Sequence, residues 1–157
     1  MQQKCLDYEV PRIIETLNQF TNNYKPRILY VFVDRNINHR LFYKSNGDML
    51  NPGPGTVVDA SLVECQEDTL FDFFMIPHKA TVATAQPVHY KVVYNTSNIK
   101  KDIIETATYH LCYNYYNFMG PIKVPSPCMY AKKFADYANE NKIEKPNDGL
   151  ALKLHFL

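Results

Sequence analysis

The spacing of apolar residues predicts a helix near the start of the chain and a buried strand directly after it. Val10 and Ile14 belong to a set of apolar positions at helical intervals, so we expect an amphipathic helix over residues 9–24. Pro26 ends this helix, because the residue before a proline is disfavoured in the helical conformation. The next segment, 27–34, reads RILYVFVD and is almost continuously apolar, which predicts a strand covered on both faces.

Shorter apolar runs separated by turn residues predict the rest of a sheet. A strand is expected over 40–44, followed by the turn signal SNGD and by the proline- and glycine-rich loop NPGPG, 51–55. The run TVVD predicts another strand, and FDFFMIP predicts one over 71–77. The small, polar segment 78–87 indicates a loop, and a strand is expected over 88–94.

The last third of the chain has helical periodicity. We expect a helix over residues 98–117, with Ser97 or Asn98 as the cap that accepts a hydrogen bond from a backbone amide. A second helix is expected over 128–140, directly after two prolines. One helix, several strands and two helices, in this order, predict a single α/β domain with a mixed sheet backed by helices.

Composition limits the partners and the compartment. The chain has 157 residues, no apolar run near the ~18–20 that a membrane helix needs, and no signal-peptide stretch in its first ten residues, so we expect an intracellular protein without a membrane partner. The four cysteines are far apart and form no CxxC pair, which predicts free thiols in a reducing compartment. The net charge is +1, so any nucleic-acid site must be a local patch.

Charged residues offer two candidate sites. Asp34 and Asp59 each end a β-rich run, where α/β folds often carry functional groups, although such residues also cap loops. A basic groove beside tyrosines is the second candidate, because single-stranded nucleic acid offers a negative charge at every linkage and a π-face on every base. Composition alone favours the alternative, ordinary solvated surface charge. The residues of this groove are Arg35, Arg40, Lys123, Lys132 and Lys133, with Tyr115 and Tyr116 beside them.

A set of motifs runs along nearly the whole chain, from Asp7 to Leu157. In order they are DYEVP, NINHRLF, NPGPGTVVD, FDFF, QPVHYKVVY, TYHLCYNYYNFMGPIKVPSPCMYA and the terminal LHFL. In order and spacing this set resembles the Argonaute/Piwi family, and NPGPGTVVD with the YNF-to-YA run resembles its Piwi branch. The resemblance implies that residues 1–157 are the C-terminal part of a PIWI domain with an RNase H-like fold, without its upstream strands and the preceding MID domain.

The resemblance implies that this chain does not cut RNA by itself. Active family members cut a target with a metal-bound tetrad of three acidic residues and a histidine. The acidic positions lie upstream of the matched region, so Asp34 and Asp59 do not correspond to them. The histidine position follows Tyr130 and Ala131 and is Lys132 here, and an ammonium has three donors and no acceptor for a proton or a metal. Lys132 is therefore expected to be a degenerate catalytic position.

The resemblance also implies where a guide RNA is held. The segment after strand 27–34 and the loop 78–87 match family segments that contact the guide backbone. The terminal carboxylate of Leu157 is expected to help hold Mg²⁺ at the guide 5′ phosphate in the complete protein, whereas the isolated chain requires no cofactor. The residues expected to bind RNA are Arg35, Asn36, Arg40, His78, Thr84, Gln86, Tyr115 and Lys123.

Two functions are compatible with the sequence. The first is binding of a small guide RNA (piRNA) in RNA-guided silencing of transposons, without slicer activity. It implies as partners the guide, a complementary target RNA, and Piwi-pathway proteins such as Tudor-domain or chromatin-silencing factors, in the nucleus or cytoplasm of germline cells. The alternative is a truncated Piwi paralogue that acts as a protein-interaction module without stable RNA binding.

Overall fold

A computed structural model describes residues 5–20, 25–60, 70–143, 147–150 and 153–157. Residues 21–24, the end of the first expected helix, lie outside the described residues. The helices are α1 (Val10–Phe20), α2 (Lys101–Leu111) and α3 (Ser126–Glu140), with a π-helical turn at Cys5–Glu9 and a 3₁₀ turn at Asp148–Leu150. The strands are β1 (Leu29–Asp34), β2 (Tyr43–Ser45), β3 (Asp48–Leu50), β4 (Thr56–Val58), β5 (Asp72–Ile76) and β6 (Val88–Asn95). The expected α/β architecture is confirmed.

Four of the described strands form one sheet in the order β1-β6-β5-β4, and every neighbouring pair in it is antiparallel. The expectation of mixed strand directions is therefore wrong for the part of the sheet that is described. The strand expected over 40–44 is observed as β2, at Tyr43–Ser45, and it does not belong to this sheet. It pairs with β3 in a separate hairpin. Asn46 and Gly47 form the two-residue turn with φ values of 50° and 93°, a left-handed geometry that asparagine and glycine adopt most readily.

The core lies on one face of β5 and β6. Phe73 and Tyr90 are partners across the two strands, and their rings stack with centroids 4.8 Å apart. Ile104 of α2 and Val124, just before α3, cover this face. Strand β1 is only half-buried because it is the outer strand of the described sheet, so the expectation that it is covered on both faces is wrong for these residues.

Both ends of α2 differ from the expected helix over 98–117. Asn98 has a φ of 52°, which is outside the right-handed helical region, so the helix begins only at Lys101. Ser97 does not cap the helix, because Lys100 is the N-cap residue and the Ser97 hydroxyl accepts from the backbone N–H of Ile99 (3.4 Å), which precedes the helix. The helix ends at Leu111, six residues earlier than expected.

Helix α3 agrees with the sequence expectation to within two residues at its start. Pro125 is the N-cap residue, and Pro127 lies in the first turn, where no intrahelical amide bond is lost. The helix runs to Glu140, the expected end. The two prolines therefore set the start of the helix that carries Lys132.

We expect the Phe73–Tyr90 stack to dominate the stability of the sheet. Phe73→Ala should lower the free energy of unfolding by about 3–5 kcal/mol, because it removes a fully buried ring and leaves a cavity. The matched control is Phe42→Ala, whose ring is 47% exposed and which should cost less than about 1 kcal/mol. Urea unfolding of both variants measures this difference, and equal losses would contradict the assignment of the core.

Candidate nucleic-acid interface

The antiparallel strands bring three separate segments to one end of the sheet. Asp34, the last residue of β1, is the partner of His89 near the start of β6. Met75, near the end of β5, is the partner of Val88, the first residue of β6. The residues that follow β1 and β5 therefore meet the residues that precede β6. These three segments carry Arg35, His78 and Gln86, which the sequence resemblance assigned to RNA binding.

Lys123 is the centre of the positive charge at this end. Its Nζ donates to the side-chain carbonyl oxygen of Gln86 at 2.7 Å. Burial lowers the pKa of Lys123, and the positive charges of Arg35 and Arg40 lower it further. Among the described residues, no carboxylate forms an ion pair with any of these three cations. Three cations of the expected basic groove are thus clustered without an ion-pair partner among the described carboxylates.

His78 adds a neutral imidazole to the cluster. Burial lowers its pKa, and the nearby charge of Lys123 lowers it further, which favours the uncharged ring at neutral pH. Its Nδ1 is buried and has no hydrogen-bond partner among the residues that are described. A buried polar nitrogen is normally hydrogen-bonded, so this atom is an unsatisfied polar group, while the half-buried ring of His78 lines a cavity with Lys123.

Two adjoining cavities form a trough along the cluster. One, of about 410 Å³, is lined by Asp34, Arg35, Asn36 and Lys132, among others. The second, of about 570 Å³, is lined by residues that include His78, Lys79, Lys123, Phe118 and Met119. Met129 lines both cavities and so joins them. We call this combined surface, together with the Arg40 and Gln86 side chains that act on Lys123, the basic trough.

Lys132 lies in the basic trough, but its ammonium is already paired. It forms an ion pair with Asp136, one turn further along α3. The side chain is about half exposed, so it can leave this pair at low cost. Lys133, which the sequence also placed in the groove, is exposed and does not line either cavity.

Other expected RNA-binding residues are fixed by contacts within their own loops. The backbone N–H of Asn36 donates to the Asp34 carboxylate at 2.9 Å, which turns the chain at the end of β1. Arg40 donates through Nη1 to the carbonyl oxygens of Ile37 (3.1 Å) and His39 (2.7 Å). These bonds use one terminal nitrogen of a group with five N–H donors, so the loop is held and donors remain for a ligand.

Thr84 is positioned by a residue that the sequence reasoning missed. Asn51 donates to the carbonyl oxygen of Ala83 at 2.9 Å and accepts from the backbone N–H of Ala85 at 3.0 Å. These two bonds bracket Thr84 and tie the 78–87 loop to the NPGPG loop. An asparagine side chain can donate to one backbone carbonyl and accept from another backbone N–H, because its amide is both donor and acceptor. This property is the feature of the sequence from which the role of Asn51 could have been predicted.

Tyr115 and the C-terminal residues meet on α3. The rings of Tyr115 and Tyr130 have centroids 5.3 Å apart, and Tyr130 also contacts Phe156 at 6.4 Å. Tyr130 therefore contacts both Tyr115 and Phe156, the residue before Leu157. In the described parts of the chain, no group of three or more His, Cys, Asp or Glu side chains could hold a metal. A single carboxylate fits Mg²⁺ only where a ligand supplies further oxygens.

None of the described helices is long and apolar enough to cross a membrane.

The chain is similar in sequence to proteins of one known family. The sequence model of the Piwi domain matches residues 2–142. Piwi-like protein 1 of Danio rerio is 36% identical over 157 residues, which cover 100% of this chain and 18% of that protein.

Solved structures show the same similarity. The crystal structure of Drosophila Piwi superposes with a TM-score of 0.85 at 31% identity, covering 99% of this chain and 21% of that one. Kluyveromyces polysporus Argonaute, solved with a guide RNA, gives a TM-score of 0.74 at 25% identity over 86% of this chain and 17% of its own. The fold is thus that of the C-terminal part of Argonaute and Piwi proteins, and the chain belongs to the Piwi domain family. It spans less than a fifth of the length of Piwi-like protein 1.

The pKa of Lys123 provides a test of the basic trough. Arg40→Gln removes a positive charge that disfavours the ammonium, so the pKa of Lys123 should rise toward its ordinary value. The control is Arg27→Gln, because Arg27 precedes β1, at the end of that strand opposite to Arg35. Titration of the lysine Nζ by NMR checks this prediction. An unchanged pKa of Lys123 in the Arg40→Gln variant would show that the two cations do not interact.

Proposed function

We propose that this chain is the RNA-backbone-binding part of a Piwi protein that acts in small-RNA-guided silencing. The observation that carries the proposal is the cluster of Arg35, Arg40 and Lys123, three cations with no carboxylate partner among the described residues. Such a cluster attracts a polyanion, and release of the counterions around the polyanion drives binding. The guide RNA in the structure of Kluyveromyces polysporus Argonaute supports RNA as that polyanion.

The proposal gives a role to each residue that the sequence resemblance assigned to RNA binding. Arg35, Arg40 and Lys123 contact phosphates, and the neutral imidazole of His78 adds a hydrogen bond. Gln86 orients Lys123 through their 2.7 Å hydrogen bond. Asn36, Thr84 and Tyr115 complete the proposed contacts from the neighbouring loops. Because all of these contacts are to the backbone, they bind every sequence alike.

We further propose that the chain binds RNA without cutting it. Lys132 stands where a catalytic histidine is expected, and its ammonium cannot ligate a metal or accept a proton. The Leu157 carboxylate is proposed to hold Mg²⁺, together with phosphate oxygens of the guide, where the metal neutralises phosphate charge. A germline nuclear or cytoplasmic location, a piRNA as guide, and Tudor-domain or chromatin-silencing partners are supported by family membership alone.

Protein binding is the second candidate function, and one observation favours it. An apolar groove of about 420 Å³ lies between β1, α2 and the start of α3, and Leu29, Val31, Ile103 and Leu111 are among the residues that line it. Exposed apolar surface of this kind often marks a protein contact. RNA affinity separates the two functions. An RNA-binding chain should bind RNA more weakly when the trough cations are removed, whereas a protein-interaction module should bind RNA weakly both before and after their removal.

Removal of one trough cation should weaken RNA binding uniformly. In the complete protein, Arg40→Ala should lower the affinity for all single-stranded RNA sequences by the same factor. It should also reduce the slope of log affinity against log salt by about one phosphate contact, ~0.7 for a single strand. Arg27→Ala, at the opposite end of β1, is the control and should leave the slope unchanged. A loss that depends on base sequence would contradict backbone recognition.

Substitution of Lys132 separates binding from cutting. In the complete protein, wild type should bind a paired target and cleave it slowly or not at all, because no metal-activated water forms beside an ammonium. Lys132→His should retain guide-dependent binding and raise cleavage only where the three upstream acidic residues are present. Lys133→His, one residue further along α3, is the matched control and should not raise cleavage. Rapid cleavage by wild type would refute the proposed role of Lys132.

A further inference from the structure

The segment between α2 and α3 is a closed loop with a fixed shape. The backbone N–H of Ile122 donates to the carbonyl oxygen of Cys112 at 2.9 Å, which joins the two ends of residues 112–122. Inside the loop, the Tyr130 hydroxyl accepts from the backbone N–H of Tyr116 (2.9 Å) and donates to the carbonyl oxygen of Asn114 (3.1 Å). We call residues 112–122 the aromatic loop.

The aromatic loop presents large apolar side chains to solvent. Tyr116 is 82% exposed and Phe118 is 57% exposed, while Met119 is fully exposed and Tyr113 nearly half exposed. The Phe118 ring rests against Gly120, where an added Cβ would lie 3.2 Å from a ring carbon. Glycine thus leaves room for the ring edge beside the backbone, while more than half of the Phe118 side chain stays exposed.

Positive charge lies directly beside these rings. Tyr113, Phe118 and Met119 line the same cavity of about 570 Å³ as His78 and Lys123. Lys123 donates to the neutral amide of Gln86 and lies near the cations Arg35 and Arg40. The positive charge in this cavity therefore favours an anion. A ligand that fits must carry negative charge and flat apolar groups side by side, which is the chemistry of unpaired nucleotides.

We infer that the aromatic loop is a base-stacking surface, with Phe118 as its centre, for one or two unpaired nucleotides whose phosphates contact Lys123 and His78. The inference rests on the proposed RNA binding and adds selectivity to it. A base in a duplex has both faces covered by its neighbours, whereas an unpaired base can stack on a protein ring. The trough cations then bind any strand, and the aromatic loop favours a strand with unstacked bases.

The test compares two probes of equal charge on the full-length protein that carries this chain. One probe is a 12-nucleotide oligouridine, and the other is an abasic ribose-phosphate strand of the same length. Phe118→Ala should weaken binding of oligouridine at least fivefold, since loss of one stacked base corresponds to about 1–3 kcal/mol, and leave the abasic strand unaffected. Phe118→Tyr keeps a ring and should retain affinity. Tyr8→Ala, an exposed ring on the π-helical turn, is the matched control.

The outcomes separate this inference from the proposed function. Equal weakening of both probes by Phe118→Ala would overturn base stacking, because an abasic strand has no base to lose. No weakening of either probe would also overturn it and would leave the loop as a surface for another protein. Arg40→Ala tests the proposed function in the same assay, since it should weaken both probes alike. If wild type binds neither probe, both the inference and the proposed function fail.

Discussion

The antiparallel pairing of β6 with both β1 and β5 is the constraint on which the candidate site depends. Because β6 runs against both neighbours, its start lies beside the ends of both. The stacked Phe73 and Tyr90 rings hold β5 against β6 at the centre of the core. Arg35 and Gln86, which are 51 positions apart in sequence, are therefore at one end of the sheet regardless of the conformation of the loops between them.

The loops then arrange charge without neutralising it. Arg40 donates to backbone carbonyl oxygens, and Lys123 donates to the amide oxygen of Gln86. These acceptors are neutral dipoles, so they satisfy hydrogen bonds but leave the full positive charge in place. A carboxylate partner would have removed that charge and fixed the side chain more tightly. Neutral acceptors thus combine a positioned cation with a persistent attraction for anions, which an ion pair does not.

Sequence periodicity predicted the elements that pack on the core and failed where packing was not involved. Strands β5 and β6 were predicted nearly to the residue, because β5 is a continuous buried apolar run and most residues of β6 are buried. Helix α3 was predicted nearly as well, because prolines mark its start. The helix over 98–117 was extended too far, because Tyr115 continues the helical spacing of Ile104 and Leu111 although it lies on a loop and packs against Tyr130. Strand direction was missed for another reason, since pairing between distant segments leaves no local pattern.

The candidate site was predictable in its residues and not in its contacts. The motifs identified Arg35, Arg40 and Lys123, but their mutual effect on the pKa of Lys123 depends on burial and loop geometry. Asn51 was missed because an asparagine beside prolines and glycines has the composition of an ordinary turn. Its two hydrogen bonds to the 78–87 loop exist only once the distant loop is packed against it.

Lys132 differs from the other cations of the basic trough in a way that separates binding from catalysis. Its charge is compensated by Asp136 on the same helix, so it contributes little to the net potential that attracts RNA. An exposed i,i+4 pair contributes only about 0.3–0.5 kcal/mol, so the ammonium can turn toward the cavity that it shares with Asp34 and Arg35. On the proposed function, the attraction for the RNA backbone comes from Arg35, Arg40 and Lys123, while position 132 governs only the chemistry. The two properties can then change independently, because the cations that hold the strand are on the loops at the sheet end and the position that would act on it is on α3.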